Sequence, residues 1–171
     1  MISLDVLAND KDIQEEYKKA VLLTFFKKMC VQMNNDTTYK QKVQTLYRQT
    51  HDKIMTTRIL IEKKFNVSLD DNEASLVNAW ITAYLTKTSQ RNSKFTNINV
   101  KKELFKKQNG LCASCGEKLG DDWAKIHVDH IIPFVLVGDM LLDNYQDLCE
   151  TCNECKSSKV NFIIGKKLKI F

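Results

Sequence analysis

From Lys11 to about Met33, apolar residues at Ile13, Tyr17, Ala20, Val21, Phe25, Met29 and Val31 recur at roughly the 3.6-residue period of one helix face. The centre, Val21 to Phe26, is apolar nearly all round, the signature of a helix inside a core. Asn34-Asn35-Asp36 reads as a loop, with Asp36 placed to cap the next helix. That second helix is expected from about Thr38 to Phe65, carrying Val43, Leu46, Tyr47, Ile54, Ile59 and Ile61. A third follows Asp70, where Glu73 completes a capping box and Leu76, Ala79, Trp80, Ala83 and Tyr84 form the apolar stripe. These stripes imply a helix-bundle core.

The periodicity then stops. Lys87 to Lys94 is polar and aperiodic, as a linker would be. A short helix from about Val100 to Gln108 runs into Asn109-Gly110, a turn signal. Ile126-His127-Val128-Asp129-His130-Ile131-Ile132-Pro133 alternates like a strand and ends at the chain's one proline, which would stop the ladder there. Helices followed by a small mixed segment give an α+β chain, divided into residues 1–95, an α-helical domain, and residues 96–171.

Composition narrows the class. Of 171 residues, 43% are hydrophobic and 27% charged, with five Gly, which is globular rather than disordered. No run approaches the ~18 apolar residues of a membrane span, and the first ten residues lack the pattern of a signal peptide, so an intracellular, cytoplasmic protein is expected. The net charge of +5 permits a nucleic-acid partner without requiring one. Residues 1–95 hold 15 Lys and Arg against 11 Asp and Glu, whereas residues 96–171 hold 11 against 10 and no Arg. Much of any phosphate-gripping surface must therefore come from the first half.

Five of the six cysteines fall between Cys112 and Cys155. In a reducing compartment such clustering points to a metal rather than to disulfides. Cys112-x-x-Cys115 and Cys149-x-x-Cys152 are two pairs whose spacing lets both thiolates of each converge on one ion, and two pairs complete a tetrahedral zinc site. Gly116 would help the first knuckle turn. With no open coordination position such a zinc is structural. Cys155 makes a third CxxC pair with Cys152, so it could replace Cys149 or Cys152.

The ordered fragments CASCG, VDHIIP and DNYQDLCETCNECKSSK, from roughly Val100 to Lys159, resemble the HNH (ββα-metal) endonucleases, in a zinc-knuckle subtype with an H-N-N site. Residues 1–95 share no such resemblance. The likeness implies two antiparallel strands and a helix around one divalent ion. It implies His130 as general base and Asn144 as the residue bracing the loop that positions it. Asn153 stands where a histidine is common, a variant in which Asp129 and Asn153 hold Mg²⁺ or Mn²⁺, since oxygen donors favour these ions. Ligation by Cys149 and Cys152 leaves Asn153 free for that role. Asp129 and His130 are neighbours, so a regular strand would send them to opposite faces, and both can serve one site only if the strand bends or ends there.

The implied activity is metal-dependent hydrolysis of double-stranded DNA, by a restriction, defence or phage-type enzyme. A histidine of ordinary pKa about 6.5 suits deprotonation of water near neutrality. Two strands require a homodimer or sequential nicks, and the helical half is a candidate for dimerisation or DNA recognition. His127 lies on the Asp129 face and could contact phosphate or metal, or be structural. Lys156, Lys159 and the tail Lys166, Lys167 and Lys169 could touch the DNA backbone or lie on a solvated face, and His51 reads as a surface residue. A non-catalytic zinc module that binds nucleic acid, and a nuclease toxin, are the competing readings.

Overall fold

The computed structural model describes residues 11–91, 97–141 and 143–156. The chain divides into two compact units that meet at Lys87 and Thr88, where the polar stretch begins. Lys94, Lys159, Lys166, Lys167 and Lys169 lie outside the described residues.

The regular elements among the described residues of the first unit are all helices: α1 (Lys11–Asn35), α2 (Thr37–Gln49), α3 (Lys53–Phe65) and α4 (Asp71–Thr86). Three N-caps set the boundaries. The side chains of Asp36, Asp52 and Asp70 accept from the backbone N–H of Tyr39, Met55 and Glu73, each satisfying a donor that the first turn leaves unpaired. Glu73 returns the bond to the Asp70 N–H at 2.9 Å, so the expected capping box forms.

Two expectations change. The helix expected from Thr38 to Phe65 is two helices. Asp52 caps α3, and the Thr56 hydroxyl donates to the Asp52 carbonyl with Thr50 Oγ1 3.1 Å away, so short polar side chains serve the break between the helices. The buried stripe of α1 is Leu22, Phe26, Met29 and Met33, flanked by Leu23 and Cys30. Tyr17 and Val31, placed on the expected stripe, are each 49% exposed. An apolar centre that runs all round the helix leaves the inward face undetermined by periodicity. Leu46, Ile54, Ile59 and Leu76 are likewise exposed, while Ala74, Val77 and Ile81 line the core.

In that core Phe26 packs against Trp80 and Tyr84, with ring centroids 5.8 and 6.5 Å away. The Tyr84 hydroxyl donates to Asn34 Oδ1 at 2.6 Å. Thr57 Oγ1 gives its hydrogen to the Lys53 carbonyl, so Tyr47 is the donor in the buried Tyr47–Thr57 hydrogen bond. Cys30 is fully buried, and burial pushes its thiol up to about 12, which makes it an inert core residue.

The second unit holds α5 (Ile98–Lys107), β1 (Ile126–His130), α6 (Phe134–Val137), β2 (Tyr145–Cys149) and α7 (Glu150–Lys156). Asn97 caps α5, which starts two residues before the expected Val100. Asn109 and Gly110 both take positive φ and turn the chain back beneath α5. A Cβ on Gly110 would come within 2.9 Å of Phe105 Cζ, so glycine is required by both conformation and space. The two strands pair antiparallel, Ile126 opposite Cys149 and His130 opposite Tyr145. The Gln108 amide covers the open edge of β2, donating to the Asp147 carbonyl at 3.0 Å and accepting from the Asp147 N–H at 2.8 Å. The architecture is α+β, as the hydrophobic pattern implies.

Candidate active site and zinc site

The turn after α5, the end of β2 and the first turn of α7 bring four sulfurs together. Sγ atoms of Cys112, Cys115, Cys149 and Cys152 all lie within 4.8 Å of one another. Cys115 and Cys149 are 3.9 Å apart, against about 3.8 Å for the edge of a tetrahedron with zinc–sulfur bonds of about 2.3 Å. Gly116 has φ +74°, and its N–H donates to the Cys112 carbonyl at 2.9 Å to close the first knuckle. Cys155 is exposed and outside the cluster. Burial pushes the Cys115 thiol up to about 12 against the pull of the Glu117 backbone, and Cys149 shifts the same way. Packed thiols resist ionising together, and a soft divalent cation relieves that resistance as it displaces their protons. The donor set fits zinc. Around it lie Leu119, Ile126 and Leu148, with Phe105 and Trp123 in edge contact at 5.1 Å.

The polar residues of the resemblance lie at the other end of the hairpin. The strand expected to run to Pro133 stops at His130, because Asn144 takes over the next residues. Its carbonyl accepts from the Ile131 N–H at 2.9 Å. Its buried side chain accepts from the Ile132 N–H at 2.7 Å and donates to the Ile132 carbonyl at 2.8 Å. Both functional groups of the Asn144 amide are thus spent on clamping the backbone two residues past His130.

His130 and Asp129 engage different partners. The His130 ring sits opposite Tyr145, with centroids 4.8 Å apart, and meets Phe134 at 5.6 Å. Its Nε2 is 2.8 Å from Asp139 Oδ1, which also accepts from the Tyr145 hydroxyl at 2.8 Å. Asp129 faces α7, where Lys156 Nζ lies 2.6 Å from its Oδ2 and donates to the His130 carbonyl at 2.7 Å. Oδ2 receives no well-aligned hydrogen bond, so the contact is one of charge. Lys156 is 2% exposed, on neither a solvated face nor an open phosphate-gripping surface.

α7 begins at Glu150, directly after β2. Asn153 is half-buried on it, three positions before Lys156 and so on the same face. A carboxylate and an amide oxygen are hard donors of the kind Mg²⁺ and Mn²⁺ take. His127 is half-buried opposite Leu148, and its Nε2 is buried without a hydrogen bond. The residues missed in the sequence are Asp139, Tyr145, Gln108 and Asp147. Tyr145 was within reach, since pairing the two strands through Leu148 puts it opposite His130. Asp139 carries no spacing signal, and only the fold of the connection brings it to the ring.

Residues 112–169 match the family model for HNH endonuclease. The match starts at the first knuckle cysteine, covers roughly a third of the chain and leaves the helical unit outside it. No curated protein and no solved structure gives a significant match. An HNH segment with four clustered cysteines implies nuclease chemistry and a nucleic-acid substrate. No helix among the described residues is long and apolar enough to cross a membrane.

Proposed function

We propose that the second unit is a metal-dependent DNA endonuclease in which His130 is the general base and Asp129 and Asn153 hold the catalytic ion. The carrying observation is the Asn144 clamp, which ends β1 at His130 and fixes its ring on the Tyr145 side while Asp129 turns to α7. A single strand end thereby offers both a base and an oxygen ligand. The bound ion supplies charge neutralisation at the scissile phosphate and the leaving oxygen, worth several kcal/mol of barrier on the order-of-magnitude scale. His130 takes a proton from the attacking water, and Asn144 holds the loop against drift during that transfer. Lys156 neutralises Asp129 and ties its strand to α7. The zinc is structural only, which agrees with four thiolates and no free position.

The test is cleavage of supercoiled plasmid by purified protein in Mg²⁺, Mn²⁺ or a chelator. Metal-dependent nicking is expected, and His130→Ala should lower its rate by at least about 100-fold with zinc content and helix content unchanged. Wild-type rates from folded His130→Ala would overturn the assignment. Retardation of DNA without cutting would favour the non-catalytic module.

A further inference from the structure

The loop between β1 and β2 carries more than a link between strands. Gly138 ends α6 at φ +58°, a conformation that side chains rarely adopt, and its N–H donates to the Phe134 carbonyl at 2.7 Å. The turn sends the next residue, Asp139, back toward the strand it left nine positions earlier. There its side chain is 9% exposed and that of His130 15%. A carboxylate so enclosed is costly unless it accepts hydrogen bonds, and its Oδ1 receives two, from His130 and Tyr145.

We infer that Asp139, supported by Tyr145, is the positioning residue for His130, fixing the Nε2–H tautomer so that Nδ1 is left as the proton-accepting atom. Asp139 Oδ1 can only accept, so the proton between it and the ring belongs to Nε2. Nδ1 carries no hydrogen bond to any described residue, and its lone pair is open. The Tyr145 hydroxyl completes the acceptor's shell. Burial first, then the hydrogen bond to Asp139 and its charge, raises its pKa, so it remains a donor. The Tyr145 and Phe134 rings hold the imidazole plane from two sides. When a water O–H bond breaks, its proton goes to Nδ1, and the resulting imidazolium keeps its Nε2 proton on the Asp139 carboxylate, whose charge stabilises it. The hydroxide forms the new bond to phosphorus as the bond to the leaving oxygen breaks, and that oxygen takes a proton from solvent.

The role of Asp139 rests on the nuclease reading of the second unit, so its test has two arms. Nitrogen NMR of the side-chain rings is tractable in a chain with three histidines, His51, His127 and His130. Neutral His130 should be the Nε2–H tautomer in the wild type and a mixture in Asp139→Ala. In the plasmid assay Asp139→Ala should lose about 100-fold in kcat with KM within about twofold, and Asp139→Asn, which keeps an acceptor without the charge, should fall between. Tyr145→Phe should lose about tenfold or less. Zinc content and melting temperature of each variant establish folding. A wild-type kcat in folded Asp139→Ala, a loss confined to KM, or an unchanged tautomer would overturn the assignment. A wild type that never cuts would sink the nuclease reading alone, because the tautomer measurement still decides whether Asp139 sets the ring.

Discussion

The two units are held together by different means. In the helical unit the stabilising groups are many and ordinary: Leu22, Phe26, Met29 and Met33 of α1 and Val77, Trp80, Ile81 and Tyr84 of α4 are buried, Phe26 against Trp80 and Tyr84, and three aspartate caps mark where the helices begin. In the second unit the buried cluster around the strands is Cys112, Leu119, Ile126, Leu148 and Cys152, so two of its five members belong to the candidate zinc site. Burying a Leu or Ile contributes about 1.5–3 kcal/mol, and this unit buries few such residues, Leu119, Ile126 and Leu148 in the cluster with Ile132, Val137 and Tyr145 beyond it. A structural zinc adds on the order of 10 kcal/mol. With zinc on the four sulfurs, the first unit is expected to rest on packing and the second to lean on coordination as well.

The largest expected effect breaks the second unit alone. Cys112→Ser, or removal of zinc with a strong chelator, should abolish hydrogen-exchange protection across 97–156 while 11–86 keeps its own. Peptide-resolved exchange on the full chain reads both units at once. Retained protection around β1 and β2 without zinc would show that the small apolar cluster suffices and would erase the contrast.

The contrast also governs what the sequence could reveal. The four clustered cysteines were legible because coordination demands a particular residue type at a particular spacing, whereas Asp129, His130 and Asn144 were singled out by the resemblance to the HNH endonucleases. The core of α1 was legible as a helix but not as a face, since Val21 to Phe26 offers apolar side chains in every direction and only the partner helix selects Leu22 and Phe26. The break at Thr50 to Asp52 escaped notice because its signal is local side-chain bonding, not hydrophobic period. Lys156 was legible only as a charge. Its burial against Asp129 depends on α7 starting at Glu150, which no periodicity marks.

The converse experiment breaks the packed unit. Phe26 is fully buried between Trp80 and Tyr84, and Phe26→Ala leaves a cavity there. A loss of about 3–5 kcal/mol is expected in denaturant unfolding followed by tryptophan fluorescence, with Trp80 as the reporter in this unit. Zinc stoichiometry should stay at one per chain. A variant that loses zinc along with its helices would show that the units unfold as one.

The smallest effect sharpens the comparison by improving the weaker unit. Asp147 of β2 is fully buried, and neither of its carboxylate oxygens has a hydrogen-bond partner among the described residues. Lys101 attracts it, but the Lys101 ammonium donates to the Trp123 carbonyl at 2.8 Å. Burial outweighs that attraction and pushes the carboxyl up to about 6. An unfolded aspartate titrates near about 3.9, so between roughly pH 4 and 6 the folded state keeps a proton that the unfolded state has lost. Stability therefore falls as pH rises through that window, and the whole penalty is present above it. Asp147→Asn keeps the shape and removes the charge, and should gain about 1–3 kcal/mol at pH 8, with the gain shrinking toward pH 5. Melting temperatures of zinc-loaded variant and wild type at both pH values cancel the acid sensitivity of the zinc site, which the two proteins share. Equal stability at pH 8 would mean that the carboxylate has found compensation, and that the second unit owes less to its zinc than its sparse core requires.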